Sequence, residues 1–168
     1  MKKLLPFLLA LIVVQSCEEP VEITESMLIS ESATVTIFQT NGNAVDFDDV
    51  IEGDVNQVVS NFNSINDITI DSLSYTFTNL TGNENASIVS ALIEINGITV
   101  ADVSNLNIAE EIENESIFQI TDLNLLDQLE TSFLNNSAVT LNLSGMAISE
   151  EGDVSFDIEL LMQLTATF

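Results

Sequence analysis

The sequence has no histidine and no tryptophan, a single cysteine, and only two basic residues, Lys2 and Lys3. One cysteine excludes an internal disulfide, and without histidine the usual ligands of a zinc site are missing. The serines have no His or Lys partner to serve as their general base. A pair of carboxylates would suffice for glycoside cleavage, but tryptophan, common in sugar clefts, is absent. We therefore predict that the protein is not an enzyme.

Charge is distributed very unevenly along the chain. Both lysines precede residue 16, whereas all 27 acidic residues follow it, and the full chain has a net charge of −25. From residue 17 onward every carboxylate must be solvated, hydrogen-bonded to a neutral donor or neutralised by a metal or salt ion. This charge excludes binding to nucleic acid through its phosphates and adsorption to anionic lipid headgroups.

The first sixteen residues have the build of a secretory signal. Two lysines precede the apolar run Leu4–Val14, which is interrupted by Pro6 and is too short to span a bilayer. The run closes on Val14, Gln15, Ser16 and Cys17, a tetrapeptide that resembles the lipobox of bacterial lipoproteins. The resemblance implies that residues 1–16 are removed and that Cys17 carries the lipid. An ordinary secretory peptide, cut near the same place, is the alternative.

The residues after the cysteine are acidic. The stretch Glu18–Glu22 resembles the acidic segment that follows the lipidated cysteine in surface-exported lipoproteins of the Bacteroidetes. It implies an outer-membrane protein held by its lipid and facing outward, with the periplasmic face of that membrane as the alternative. We predict an acidic tether over residues 17–25 and one folded domain over residues 26–168, the size of an ordinary domain.

Alternating apolar residues predict an all-β domain. Val154–Phe168 alternates without a break, Asn96-Gly97 is a strong hairpin signal, and a parity change near Asp71-Ser72 predicts a bulge. We expect an antiparallel two-sheet β-sandwich of about seven strands with one or two short crossover helices. Helical spacing predicts these helices at Val55–Ile65 and Leu123–Phe133, the second capped by Thr121 or Asp122.

Three finer expectations concern pairing and loops. Ile68–Ile95 and Val139–Phe168 each have the outline of a long strand-loop-strand hairpin. Asn105–Ser116 has no clear pattern and is predicted to be irregular. The acid-rich stretch that ends at Asp54 is predicted to be a polar loop.

That acidic loop is a candidate calcium site, because calcium prefers six to eight oxygen ligands. It is not an EF-hand, since Val50 and Ile51 occupy positions where a ligand and a glycine are required. A solvated loop that caps the following helix is the alternative. The candidate ligands are Asp46, Asp48, Asp49, Glu52 and Asp54.

A second candidate site is a modification. Asp71-Ser72-Leu73 resembles the acceptor motif for O-glycosylation in the Bacteroidetes, which implies a glycan on Ser72. The predicted bulge accounts for the same residues without a modification.

Together these features predict a non-catalytic cell-envelope lipoprotein whose acidic β-sandwich is a binding or scaffolding module, with an envelope protein or a glycan as its partner. A calcium-dependent adhesin or glycan-binding module is one alternative. A structural subunit of an envelope assembly is another, and it would associate through Val154–Phe168 if that strand lies at the margin of its sheet.

Overall fold

The computed structural model describes residues 24–54, 65–82, 84–135 and 138–168, without the side chains of residues 51–54 and 138. These residues form two antiparallel four-stranded sheets packed face to face, so the prediction of an all-β two-sheet sandwich is confirmed. The elements are β1 (Thr24–Ile37), β2 (Val45–Asp54), β3 (Asp67–Gly82), β4 (Ser87–Ile95), β5 (Ile98–Asn107), α1 (Ile108–Glu113), β6 (Ile117–Gln119), α2 (Leu123–Asn135), β7 (Ala138–Ile148) and β8 (Val154–Thr167).

The strand order is that of a rolled ribbon. The first sheet has the order β1-β8-β3-β6 and the second β2-β7-β4-β5. Four antiparallel pairs are nested along the chain: β1 with β8, β2 with β7, β3 with β6, and β4 with β5. Rolling this ribbon adds the pairs β3–β8 and β4–β7, which complete the two sheets. This is the order of the eight-stranded jelly roll, which contains two Greek keys.

The two predicted long hairpins are wrong. β3 and β4 lie in different sheets, as do β7 and β8, so the chain crosses the sandwich at each connection. Alternation identifies the buried face of a strand, but both sheets bury a face against the same core and so look alike in sequence. β8 lies between β1 and β3, so Val154–Phe168 is not at a margin and cannot be the associating edge.

β8 is nevertheless the strand that the sequence describes best. Its residues alternate between buried and partly or fully exposed, and the side chains of Phe156, Met162 and Leu164 are fully buried. Its neighbour β3 shifts register between Ile70 and Ser72, which confirms the predicted bulge. The shift lets one strand keep apolar residues on the core on both sides of the irregularity.

Both helices of the described residues lie in connections between the sheets, as predicted for crossover helices. Asp122 caps α2 by accepting hydrogen bonds from the backbone N–H groups of Asn124 and Leu125. The prediction that residues 105–116 are irregular is wrong, because β5 continues to Asn107 and α1 follows. The Asn107 side chain accepts from the Glu110 N–H and so caps α1.

The predicted helix at Val55–Ile65 falls on residues 55–64, outside the described residues. The predicted tether falls on residues 17–25, of which only Thr24 and Glu25 are described, and both belong to β1.

The sandwich has two distinct ends. At one end Thr24, the start of β1, and Asp67, the start of β3, both pair with Thr167 at the end of β8. We call this the terminal end. At the other end Ile37 pairs with Val154, and the loops 38–44 and 149–153 lie there. We call this the loop end.

Candidate functional site

The outer face of the first sheet partners its carboxylates with neutral donors. Asp157 accepts hydrogen bonds from Thr34 Oγ1 at 2.6 Å and from Asn79 Nδ2 at 2.7 Å. Glu159 accepts from Ser30 Oγ at 2.9 Å. The hydrogen bonds from Thr34 and then Asn79 hold the pKa of Asp157 below its usual value, although partial burial acts weakly in the opposite sense. Hydroxyl and amide groups thus donate the hydrogen bonds to these carboxylates that Lys and Arg side chains donate in most proteins.

The loop end is held together by a compact set of hydrogen bonds. The buried Thr40 hydroxyl donates to the Ser149 carbonyl at 3.1 Å and accepts from the Ser149 N–H at 3.2 Å. Gln39 N–H donates to Asp153 Oδ1 at 2.9 Å, and the Ser149 hydroxyl donates to the Gly152 carbonyl. The loop that joins β1 to β2 is therefore fixed to the loop that joins β7 to β8.

Phe38 opens the first of these loops and is 72 % exposed. It has the same parity as Thr34 and Thr36, which are exposed on the outer face of β1. An exposed aromatic ring on a fixed loop is a common recognition element, because the scaffold holds the loop before a partner arrives. The alternation of β1 is the local signal for this exposure, since Ile37 beside it is almost fully buried.

A groove runs between the margins of the two sheets beside this loop. β1 is the margin strand of the first sheet and β2 that of the second. The groove has a volume of about 380 Å³ and is open to solvent. We call it the β1–β2 groove, and its lining residues are Thr34, Val35, Thr36, Asp46, Phe47, Asp48 and Asp49.

The acidic stretch predicted as a loop is the strand β2, so that prediction is wrong. Phe47 packs against the core, while Asp46 and Asp48 are exposed on the opposite face. Asp49 is partly buried on the same side as Phe47, because side chains alternate along a strand. Five acids in nine residues hid this alternation in the sequence.

The three candidate calcium ligands with described side chains are consequently not gathered at one point. Asp46 and Asp48 project from one face of β2 and Asp49 from the other. The side chains of Glu52 and Asp54 are outside the described residues. Across residues 24–50, 65–82, 84–135 and 139–168, no group of three or more acidic, cysteine or histidine side chains lies close enough to hold a metal ion.

Gly145 determines how β2 sits on its neighbour β7. It lies opposite Phe47 in the register. A Cβ atom at Gly145 would collide with the Ser90 carbonyl oxygen and would lie 2.7 Å from Phe47 Cζ. The missing side chain therefore makes room for the Phe47 ring, which forms part of the groove wall.

The opposite margin of the sandwich carries a second, more open groove between β5 and β6. Tyr75 stacks on Phe118 there, with ring centroids 4.8 Å apart and planes within 8° of parallel. Burial raises the pKa of Tyr75, and the nearby Glu111 carboxylate raises it further. Tyr75 is buried, as its place in the strand pattern predicts, so this stack is mainly a packing feature.

The remaining predicted sites differ in what the structure says of them. Cys17 and the lipobox residues Val14, Gln15 and Ser16 lie outside the described residues. Ser72 is exposed at the bulge of β3, where a modifying enzyme would have access to its hydroxyl. In the described part of the chain, no helix is long and apolar enough to cross a membrane.

Comparison with protein-family models and with curated proteins gives no match. Among solved structures, the chain is similar to the decameric BFDV capsid protein, with a TM-score of 0.43, 9 % identity, and coverage of 86 % of this chain and 99 % of that one. It also matches the VP2 subviral particle of infectious bursal disease virus, with a TM-score of 0.29, 11 % identity, and coverage of 88 % and 37 %. Neither similarity is strong enough to support an argument about this protein.

Proposed function

We propose that the protein is a non-catalytic lipoprotein of a bacterial cell envelope, anchored at the outer membrane through Cys17, whose β-sandwich is a binding or scaffolding module. The observation that carries the proposal is the short spacing between the lipobox cysteine and the fold. Thr24, the first residue of β1, comes seven positions after Cys17. Seven residues span at most about 25 Å, so a lipid on Cys17 would keep the domain close to the bilayer.

The topology supports a definite orientation for such an anchored domain. Thr24 belongs to the terminal end, so the tether would leave the sandwich from that end. The loop end, with Phe38 and the loop pair, would then point away from the membrane. Repulsion between the chain's carboxylates and anionic headgroups would keep the domain from lying on the bilayer surface.

Lipidation is tested by expressing the full-length chain in a bacterial host supplied with a palmitate analogue. We expect label on the wild-type protein and on Ser16→Ala, which keeps a small residue before the cysteine, and none on Cys17→Ala. The labelled protein should fractionate with the outer membrane. Label on Cys17→Ala, or membrane association without any label, would contradict the proposal.

Surface exposure is tested separately by adding protease to intact cells. Digestion of the protein before the outer membrane is breached indicates the outward face. Digestion only after the membrane is opened indicates the periplasmic face. The acidic segment contributes to outward export if substituting Glu18, Glu19 and Glu22 by Gln moves the protein from the first group to the second.

A structural subunit of an envelope assembly is the second candidate, and the margin position of β1 supports it, since among the described residues β1 pairs with β8 alone. Sedimentation of the full-length protein in non-ionic detergent over a range of concentrations separates the two. A self-assembling subunit grows with concentration, whereas a binding module keeps one size.

A further inference from the structure

The side of β2 opposite β7 faces β1 across the β1–β2 groove. Its ten residues pair with β7 in unbroken register, from Val45 opposite Ala147 to Asp54 opposite Ala138. Within the described ranges no strand pairs with the other side of β2. A margin strand leaves a row of backbone N–H and C=O groups to which another strand can hydrogen-bond. The β1–β2 groove thus has a backbone edge along one wall.

One hydrogen bond shows which backbone groups face this edge. The Val50 N–H donates to Asp49 Oδ1 at 2.9 Å, so it points away from β7. In an antiparallel strand the backbone groups of alternate residues point to the same side. The backbone N–H and C=O groups of Asp46 and Asp48 therefore face the open edge as well. At the next such residue, Val50, the N–H is already bound by the Asp49 carboxylate.

The side chains at this edge select the charge of a partner. Asp46 and Asp48 are exposed, and directly opposite side chains of paired strands have Cβ atoms about 5 Å apart. Lys or Arg in an added strand would therefore reach these carboxylates. A second copy of this chain would place carboxylate against carboxylate, with no basic residue after Lys3 to relieve the repulsion.

We propose that β2 binds an extended, cationic segment of a partner protein by strand addition in the β1–β2 groove, with alternate Lys or Arg residues beside Asp46 and Asp48. The proposal deepens the proposed function, on which it rests, by naming the chemistry of the partner. The competing explanation is that these acids only guard a margin strand against edge-to-edge aggregation.

The test measures binding of fluorescent eight-residue peptides to the full-length protein in non-ionic detergent. The probe alternates Lys and Val. One control alternates Lys and Pro, which keeps the charge but cannot form a strand, and the other alternates Glu and Val, which keeps the strand preference but reverses the charge. We expect the Lys/Val peptide to bind at least about tenfold more tightly than either control.

Variants place the binding on β2. Asp46→Asn with Asp48→Asn should weaken binding of the Lys/Val peptide by about tenfold or more. The matched control, Asp102→Asn with Asp127→Asn, changes two exposed acids outside the groove and should bind like the wild type. Asp48→Pro removes an N–H from the open edge without removing one from the β2–β7 ladder, and should also weaken binding. If Asp48→Pro does not fold, the asparagine pair still decides the question.

Two results would overturn strand addition. Equal binding of the Lys/Val and Lys/Pro peptides would show that the peptides are attracted by charge alone, without strand pairing. If neither peptide binds, the acids of β2 only protect a margin strand against edge-to-edge aggregation. Neither result bears on the anchor, because palmitate incorporation at Cys17 is measured independently. Loss of lipidation with peptide binding retained would instead overturn the membrane location alone.

Discussion

Thr34 Oγ1 lies 2.6 Å from Asp157 Oδ1 and donates a hydrogen bond to it across the β1–β8 pair, where the two residues are directly opposite. The Asn79 side chain reaches the other carboxylate oxygen from β3. One acid on the central strand is thus satisfied from both neighbouring strands without any basic residue. This arrangement explains how a strand with two carboxylates, Asp157 and Glu159, can occupy the middle of a sheet when the described residues include no Lys, Arg or His.

The Asp157 pKa gives the first prediction. Because its pKa is lower in the folded protein than in the unfolded chain, its contribution to stability is fully present above the unfolded pKa and is lost as pH falls through the folded pKa. Thr34→Val should therefore raise the Asp157 pKa toward its value in the unfolded chain. The loss of stability as pH falls should then be smaller. NMR titration of the Asp157 carboxyl carbon measures it. Thr36→Val is the control, because the Thr36 hydroxyl is bonded to Ser155 rather than to an acid; an unchanged Asp157 pKa in Thr34→Val would contradict the prediction.

Gly145→Ala should destabilise the fold. The added methyl group meets a backbone carbonyl and the Phe47 ring, and overpacking of this kind costs about 1–3 kcal/mol. A thermal melt should show a midpoint several degrees lower. Met146→Ala, at the neighbouring and more exposed position, should change the midpoint much less. Equal midpoints for wild type and Gly145→Ala would mean that β2 does not rest on β7 as described.

Thr40→Val should weaken the contact between the two loops at the loop end, because valine has nearly the shape of threonine but no hydroxyl. The substitution removes the hydroxyl that both donates to and accepts from the Ser149 backbone, and each such hydrogen bond contributes about 0.5–1.5 kcal/mol. Amide exchange at Ser149 should become faster. Thr99→Val, at an exposed position on β5, is the control and should leave that amide protected. Slow exchange at Ser149 in both variants would show that the hydroxyl does not hold the two loops together.

Salt should stabilise the protein without strong preference among cations. Repulsion among the acidic residues is relieved by screening, which depends on ionic strength. The separation of Asp46 and Asp48 from Asp49 on opposite faces of β2 gives calcium no shared point to bind among them. Melts in calcium chloride, magnesium chloride and sodium chloride at matched ionic strength should shift alike. A shift specific to calcium, abolished by Asp48→Asn, would restore the calcium site.

The sequence predicts the local structure better than the arrangement of strands. The bulge beside Asp71, the turn at Asn96-Gly97 and the alternation of β8 all follow from short-range backbone and burial preferences, and the structure confirms them. Sheet membership does not follow, because two strands that bury the same kind of face are interchangeable in pattern. The β1–β2 groove could not be predicted from the sequence for the same reason, since it lies where the margin strands of two different sheets meet.

Composition misled the prediction at β2 in a physically clear way. Five acids between Asp46 and Asp54 are typical of a solvated loop, because central strands rarely tolerate them. A margin strand tolerates them, since one face and one edge remain in water. Val45, Phe47 and Ile51 share one parity, but Asp49 interrupts that series and Val50 lies on the other parity, so the period of two is obscured.

The place of β8 has a consequence for the order in which the protein can fold. β8 comes last among the eight strands of the described residues, yet it is the inner partner of both β1 and β3, and Thr24 pairs with Thr167, 143 positions later in the sequence. The first sheet therefore cannot form until β8 has left the ribosome. Such long-range pairing makes folding slow, because the first sheet gains its central strand only after nearly the whole described chain has been made.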